Sequence, residues 1–187
     1  KFILNSTLIA ENFLLNEEYE KAQKILKNFD KKYEFYYWFR VKKEAQIIIK
    51  DKGYDEGINY LSLKFSKIKN PNVKMVFDIA NFYKNSKNYE KAIKYYTEII
   101  SSLDDNSEIK SDLLYRRGGS YERLGNFQRA DGDLKYSLRI NPDDAYVLNY
   151  LAYSWLERDY KIDEAMKMLE KAYALRSNDP YITDSIG

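Results

Sequence analysis

Tyrosine side chains recur along one stretch in the last third of the chain. Tyr146, Tyr150 and Tyr153 stand at intervals of four and three, which places them on one side of a helix. A tyrosine offers a large rigid ring and one hydroxyl, so such a stripe suits the recognition of another molecule. The other side of the same helix carries the natural core residues Leu148, Leu151, Ala152 and Trp155.

The residue types needed for most catalysis are missing from this sequence. Its 187 residues include no Cys and no His, which removes thiol catalysis, cysteine-ligated zinc and the usual general base. Asp104 and Asp105 form an adjacent pair of carboxylates, a type used in acid–base chemistry. Because no His or metal-ligating cluster accompanies them, we interpret them as loop and cap residues. We expect no enzyme activity, no metal and no cofactor.

Charge and hydropathy disfavour two further classes of function. The net charge is +2, with Lys and Glu mixed along the same segments, as on solvated helix faces. A nucleic-acid-binding protein more often has a clustered basic face and a pI above the 8.4 of this chain. No apolar run approaches the roughly 18 residues of a transmembrane helix.

A repeated pattern must position these residues. Five times an aromatic or apolar residue stands three places before a small one, and a second small residue precedes that one by twelve or thirteen places. A period of about 34 residues indicates a solenoid of two-helix repeats, whose helices approach closely where the side chains are small. The paired small residues are Ala10 and Ala22, Ala45 and Gly57, Ala80 and Ala92, Gly118 and Ala130, and Ala152 and Ala165.

Local signals mark where the helices begin and end. Asn88 is predicted as an N-cap and Glu90 as an anion in the first turn, and Asn126 and Asp163 are predicted to serve similar roles at later helix starts. Gly53 and Gly125 are predicted as turn residues between helices. The spacing between the third and fourth small residues is longer by three, which we assign to a loop within 101–107.

Residues 3–187 resemble tetratricopeptide repeat (TPR) proteins. The residues that carry the resemblance are Ala80, Tyr83, Ala92, Tyr96, Gly118, Tyr121, Gly125, Ala130 and Pro142. The resemblance implies an all-α fold, an α-α superhelix of about five helix pairs plus the start of a sixth, in one array over residues 1–187. The predicted repeats are 3–36, 38–71, 73–106, 111–144 and 145–179, with a sixth from 180.

In this family the first helices of the repeats line a concave groove that binds a peptide or a partner protein. With the register set by Ala152, we expect the tyrosine stripe to face that groove. The predicted partner-binding residues are Phe77, Asp78, Asn81, Tyr115, Arg116, Tyr146, Asn149, Tyr150 and Tyr153. The Lys/Asn/Lys/Arg clamp of TPR proteins that bind chaperone tails is not expected, because Asp78 and Asp112 occupy corresponding positions.

The segments 145–155 and 178–187 resemble one bacterial subgroup of the family. Its members are exported and often anchored as lipoproteins at the outer membrane, and some deliver substrates to carboxyl-terminal processing proteases. The resemblance therefore implies a periplasmic adaptor. We further expect an N-terminus that has been cut, an array that continues beyond Gly187, and self-association or fraying at the C-terminal end.

Two alternatives stay open at this point. Pentatricopeptide repeats have a similar period and bind RNA, although the low net charge and the Tyr-Glu-Lys-Ala starts favour protein recognition. The aromatic run 33–39 is either a packing plug between repeats or a platform at one end of the groove.

The repeat register predicts that Ala80 and Ala92 face each other within one helix pair. Ala92→Leu would overpack this contact and should cost about 1–3 kcal/mol of the free energy of unfolding. Thermal unfolding followed by circular dichroism measures the effect. An unchanged melt would contradict the register.

Overall fold

The computed structural model describes residues 2–27 and 34–186, and the secondary structure of these ranges consists of eleven α-helices. The helices are α1 Phe2–Leu15, α2 Tyr19–Leu26, α3 Glu34–Lys52, α4 Tyr54–Phe65, α5 Val73–Asn85, α6 Tyr89–Ile100, α7 Glu108–Arg123, α8 Phe127–Ile140, α9 Ala145–Leu156, α10 Ile162–Leu175 and α11 Pro180–Ile186. The predicted all-α fold is confirmed.

The chain forms two compact units, Lys1–Ser86 with α1 to α5 and Lys87–Gly187 with α6 to α11. In unit 1, α1 packs on α2 and α3 on α4; in unit 2, α7 packs on α8 and α9 on α10. Helix α3 begins at Glu34, inside the predicted first repeat 3–36, and α7 begins at Glu108, before the predicted fourth repeat 111–144. The repeat boundaries stay predictions. The single array across both units stays a prediction.

Every small residue of the repeat pattern is buried. Seven of its eight alanines are fully buried, and the eighth, Ala130, is 1% exposed. The two glycines of the pattern, Gly57 and Gly118, are also buried. The predicted burial of these positions is confirmed. The mutual contact of Ala80 and Ala92 stays a prediction, because α5 and α6 belong to different units.

The helix boundaries confirm most of the predicted caps and turns. The Asn88 side chain accepts a hydrogen bond from the Lys91 amide, and the Asn126 side chain accepts one from the Arg129 amide, both at 3.4 Å. Gly53 and Gly125 have φ of 94° and 71°, in the region that glycine adopts without strain. The predicted loop between repeats separates α6 from α7.

Asp163 takes the first-turn role of the two predicted for a helix start, and not the N-cap role. Helix α10 begins at Ile162, and its N-cap is Lys161 with left-handed backbone angles. Asp163 therefore lies in the first turn, where the positive end of the helix dipole favours a carboxylate.

The core of unit 1 joins α1, α2 and α3. Ala10, Ala22, Leu26 and Ile47 form its buried centre, with Phe13, Leu14 and Phe39 among the residues packed on it. Leu8 on α1 is 58% exposed, because the buried side of this helix centres on Ala10.

The described part of the aromatic run has a packing role. Trp38 is buried, its ring centroid lies 5.6 Å from that of Phe65, and its Nε1 donates a 2.9 Å hydrogen bond to Asp78. Phe39 packs on the core of unit 1. Tyr33 lies outside the described residues, so the packing interpretation rests on the end of the run.

The core of unit 2 confirms the predicted inner side of α9. Leu148, Leu151, Ala152 and Trp155 are all buried. One cluster joins α8, α9 and α10 through Leu134, Leu151 and Leu169, and a second attaches α11 through Ile182. Helix α9 is thereby enclosed by its neighbours in this unit.

Two glycines inside helices predict opposite effects of the same substitution. A Cβ at Gly57 would lie 2.2 Å from Ile49 Cγ1 and 3.0 Å from the Ala45 carbonyl oxygen, whereas a Cβ at Gly132 would meet nothing within 4 Å. Gly57→Ala should therefore destabilise by about 1–3 kcal/mol through overpacking. Gly132→Ala should stabilise by about 0.5–1 kcal/mol, because alanine is the better helix former. Urea denaturation of both variants measures the change in the free energy of unfolding. A stabilised Gly57→Ala protein would refute the close approach of Gly57 to Ile49 and Ala45.

Candidate functional site

The predicted partner-binding residues lie in both units, and each unit presents its own candidate surface. In unit 2, α7, α9 and α11 bear a group of five tyrosines that we name the tyrosine face. It consists of Tyr115, Tyr146, Tyr150, Tyr153 and Tyr181. In unit 1, α5 contributes Phe77, Asp78 and Asn81.

Tyr115 and Tyr150 hold the centre of the tyrosine face. Their ring centroids are 5.6 Å apart with the planes at 89°, an edge-to-face contact. The Tyr150 hydroxyl donates a 3.0 Å hydrogen bond to Glu122 Oε2. Burial raises the pKa of Tyr115 to about 12 and also raises the pKa of Tyr150. Both phenols therefore stay neutral near pH 7 and can donate hydrogen bonds.

Tyr146 and Tyr153 present their rings to solvent, with exposed fractions of 37% and 49%. The Tyr146 hydroxyl donates a 2.6 Å hydrogen bond to Asp179 Oδ2, which lowers the pKa of that carboxyl group. The neighbouring Glu157 raises the pKa of Tyr153. The exposed ring of Tyr146 is thus held by a carboxylate at its hydroxyl end.

Tyr181 on α11 belongs to the tyrosine face although the sequence pattern did not single it out. It is 50% exposed, and its backbone amide donates a 3.0 Å hydrogen bond to Asp179, the carboxylate that also accepts the bond from Tyr146. The signal that could have found it is the Asn-Asp-Pro-Tyr start of α11, which resembles the Asn-Pro-Asp-Asp-Ala-Tyr start of α9.

Asn149 differs from the expected surface position. It is fully buried, and its Nδ2 donates a 3.0 Å hydrogen bond to Ser185 Oγ on α11. The helical register of α9 alone did not reveal this, because it takes no account of the neighbouring α11. Arg116 remains half-buried, and its Nε donates a 2.8 Å hydrogen bond to Asp112.

In unit 1 a groove of about 920 Å³ opens beside α5. Asp78 and Asn81 line it, together with Lys42 and Gln46 from α3 and Asn85 from α5. Asp78 accepts a hydrogen bond from Trp38 at 2.9 Å and forms an ion pair with Lys42 at 2.7 Å. This predicted residue therefore organises one wall of the groove.

The groove also has parts that the sequence did not reveal. Lys43 and Lys50 line it, and they pair with Glu11 at 3.1 Å and Glu17 at 3.4 Å. Its apolar lining includes Leu14, Phe39, Ile47 and Phe82. The spacing of Lys42, Gln46 and Lys50 by four residues is the helical signal that could have found this side of α3.

Asp105 of the acidic pair stabilises the loop 101–107 through Lys110. Lys110 donates hydrogen bonds to Asp105 Oδ1 at 2.7 Å and to the Leu103 carbonyl oxygen at 3.3 Å. The bond from Lys110 lowers the pKa of Asp105.

A metal-binding cluster and a membrane-spanning helix are both absent from residues 2–27 and 34–186. This part of the chain contains no group of three or more His, Cys, Asp or Glu residues that could hold a metal ion. Among the helices of the same ranges, none has both the length and the apolar character for crossing a membrane.

Comparison with known sequences identifies one repeat directly. The tetratricopeptide repeat family matches residues 73–102. TPR repeat-containing protein PA4667 of Pseudomonas aeruginosa is 26% identical over 145 residues, or 78% of this chain and 24% of that protein. TPR repeat-containing protein MJ1428 of Methanocaldococcus jannaschii is 39% identical over 80 residues, or 42% of this chain and 14% of that protein. The chain spans about a quarter or less of these relatives.

Comparison with solved structures shows the same fold. MamA from AMB-1 aligns with a TM-score of 0.63 at 17% identity, covering 98% of this chain and 97% of that chain. The first TPR of Spaghetti (RPAP3) bound to the HSP90 peptide SRMEEVD aligns with a TM-score of 0.53 at 22% identity, covering 61% of this chain and 86% of that chain.

The contact between Tyr115 and Tyr150 predicts measurable coupling. In a double-mutant cycle of Tyr115→Ala and Tyr150→Ala, the free energies of unfolding should deviate from additivity by about 0.5–1.5 kcal/mol. Urea denaturation of the four proteins measures this coupling. A parallel cycle of Tyr115 with Tyr173 on α10 serves as the control and should be additive. Additivity in both cycles would mean that the two rings do not support each other.

Proposed function

Because this chain is built from tetratricopeptide repeats, we propose that it is a non-catalytic scaffold that binds a segment of a partner protein. The observation that carries this proposal is the tyrosine face of unit 2. Tyr115 and Tyr150 are in ring contact there, and Tyr146, Tyr153 and Tyr181 are 37–50% exposed. A TPR of similar fold holds a peptide of HSP90, which supports a peptide or protein as the ligand class.

Tyr150, Tyr153 and Arg116 are the proposed anchors. Tyr150 is held by its ring contact with Tyr115 and its hydrogen bond to Glu122, so it loses little conformational freedom on binding. Tyr153 presents about half of its surface for burial against a ligand. Aromatic and arginine side chains of this kind supply most of the affinity at protein interfaces.

The groove of unit 1 offers a second binding surface. Gln46 and Asn85 are exposed, and together with Asn81 they place three side-chain amides along the groove. Amide groups can bond both the N–H and the C=O of an extended peptide backbone, whose polar groups need partners on burial. The apolar lining would accept the ligand's side chains.

The more specific role that we propose is that of a bacterial adaptor. The resemblance of 145–155 and 178–187 to exported TPR proteins supports delivery of substrates to a carboxyl-terminal processing protease in the periplasm. Co-purification of such a protease with the tagged protein, from cells that produce its full-length form, tests this role. Recovery of the tagged protein without the protease would leave the scaffold function but remove the adaptor role.

Substitution of the proposed anchors should weaken partner binding. Once a partner is identified by pull-down, its dissociation constant is measured for the Tyr150→Ala/Tyr153→Ala protein by isothermal titration calorimetry. We expect a loss of at least about tenfold, roughly 1.4 kcal/mol, because two large contact surfaces are removed. Tyr173→Ala, which removes a 40% exposed tyrosine from α10, is the matched control and should change nothing.

Two further measurements complete this test. Circular dichroism must show that the double variant keeps its helices, since Tyr150 also packs on Tyr115. A folded double variant that binds with unchanged affinity would rule out the tyrosine face. In that case Gln46→Ala/Asn85→Ala examines the groove of unit 1.

A further inference from the structure

Two of the three helices of the tyrosine face lie in segments without a cation, whereas α7 carries Lys110, Arg116, Arg117 and Arg123. The segments 141–157 and 177–187, which contain α9 and α11, include five Asp or Glu residues and neither Lys nor Arg. Unit 2 as a whole has 18 Asp and Glu against 15 Lys and Arg, a formal net charge of −3. Unit 1 has 11 against 16, a net charge of +5. The near-neutral total of the chain therefore hides an acidic unit that bears the tyrosines.

The carboxylates lie at the tyrosine hydroxyls themselves. Glu122 accepts the hydrogen bond of Tyr150, Asp179 accepts that of Tyr146, and Glu157 interacts with Tyr153. A carboxylate can accept about four hydrogen bonds, so a carboxylate that is bonded to one phenol can still accept a bond from a further donor. Tyr146 and Tyr150 thus each have an anionic acceptor at the end of the ring, and Glu157 lies one helical turn after Tyr153.

Two of the three cations near this surface are engaged within the unit. Arg116 forms an ion pair with Asp112 at 2.8 Å. The guanidinium of Arg176 lies over the Tyr146 ring, 5.1 Å from its centroid. Arg123 approaches Glu122 at 3.6 Å, but its side chain is 62% exposed. The chain itself thereby shows how a guanidinium fits this surface: it stacks on a ring whose hydroxyl bonds a carboxylate.

We propose that the tyrosine face binds an extended protein segment that carries arginine or lysine side chains. This inference rests on the proposed scaffold function and adds that the partner segment is positively charged. Cationic side chains would stack on the exposed rings of Tyr153 and Tyr181 as Arg176 does on Tyr146, and would pair with Glu157 and Glu122. Arginine should bind better than lysine, because its planar guanidinium stacks on a ring and donates to a carboxylate at the same time.

The size of the surface sets the length of the segment. Neighbouring helices pack about 8–10 Å apart, so three helices extend over about 20 Å. An extended chain covers about 3.3 Å per residue, so about six residues cross the tyrosine face. We expect two or more of these residues to be basic.

A random peptide library displayed on phage tests the inference even while the natural partner is unidentified. The immobilised protein selects peptides, and the selected peptides are then tested against Tyr153→Ala. Those that depend on Tyr153 should be enriched in arginine. If such peptides are instead acidic or uncharged, the charge assignment is overturned while the scaffold function stands. If no peptide depends on Tyr153 and none is enriched at all, both proposals fail.

Synthetic peptides then give the size of the effect. A fluorescein-labelled peptide that alternates arginine with serine should lose at least about tenfold in affinity with Tyr153→Ala and several-fold with Glu157→Gln. The same peptide with glutamate in place of arginine should not bind. Tyr173→Ala is the control for general attraction to an acidic unit, and it should leave the affinity unchanged. If Tyr173→Ala and Tyr153→Ala lowered the affinity equally, the binding would be a non-specific attraction to unit 2, and the proposed site would be overturned.

Discussion

Close approach of paired helices at small residues is the constraint on which the rest of this structure depends. Within the pair α7 and α8, a Cβ at Gly118 would lie 3.1 Å from Leu134 Cγ and 3.3 Å from the Ala130 carbonyl oxygen. The same approach brings Ser111 and Ser137 together, so that each buried hydroxyl donates to the other residue's carbonyl oxygen, at 3.1 and 3.0 Å. Arg117 then reaches Asp133 with two hydrogen bonds of 2.7 and 2.8 Å. Small residues fix the register, and the polar pairs on either side follow from it.

The tyrosine face depends on the same pair of helices. Gly118 faces α8, whereas its neighbour Gly119 faces α9, where a Cβ would lie 3.4 Å from the Tyr150 hydroxyl. Adjacent residues on a helix point about 100° apart. Two successive glycines therefore let α7 pack closely against α8 on one side and α9 on the other. Tyr150 can consequently lie against α7 at Gly119 and reach Glu122, about one turn further along the same helix. The position of the candidate anchor is therefore a result of repeat packing.

The sequence predicts whatever follows from the repeat period and little of what depends on contacts between repeats. Small residues, caps at Asn88 and Asn126 and the inner side of α9 all follow from local spacing, and the structure confirms them. Asn149 was misplaced because α11, distant in sequence, covers it. The groove of unit 1 was missed in part because its lysines become informative only beside Glu11 and Asp78. The backbone of Lys161 adopts a conformation that propensity does not assign to lysine.

Helix α9 shows why exposed tyrosines on this chain require an explanation. Eight of its twelve residues are buried, and Tyr146 and Tyr153 are its two exposed positions. A helix that is enclosed on most sides gains its stability from those buried contacts, so its exposed positions tolerate ordinary polar residues. Large aromatic side chains at such positions add apolar surface to solvent, which favours association. The Tyr146 hydroxyl bonds Asp179, which keeps this ring oriented while it remains exposed. Fixed orientation with an open ring is what a binding surface needs, and packing inside the unit does not require it.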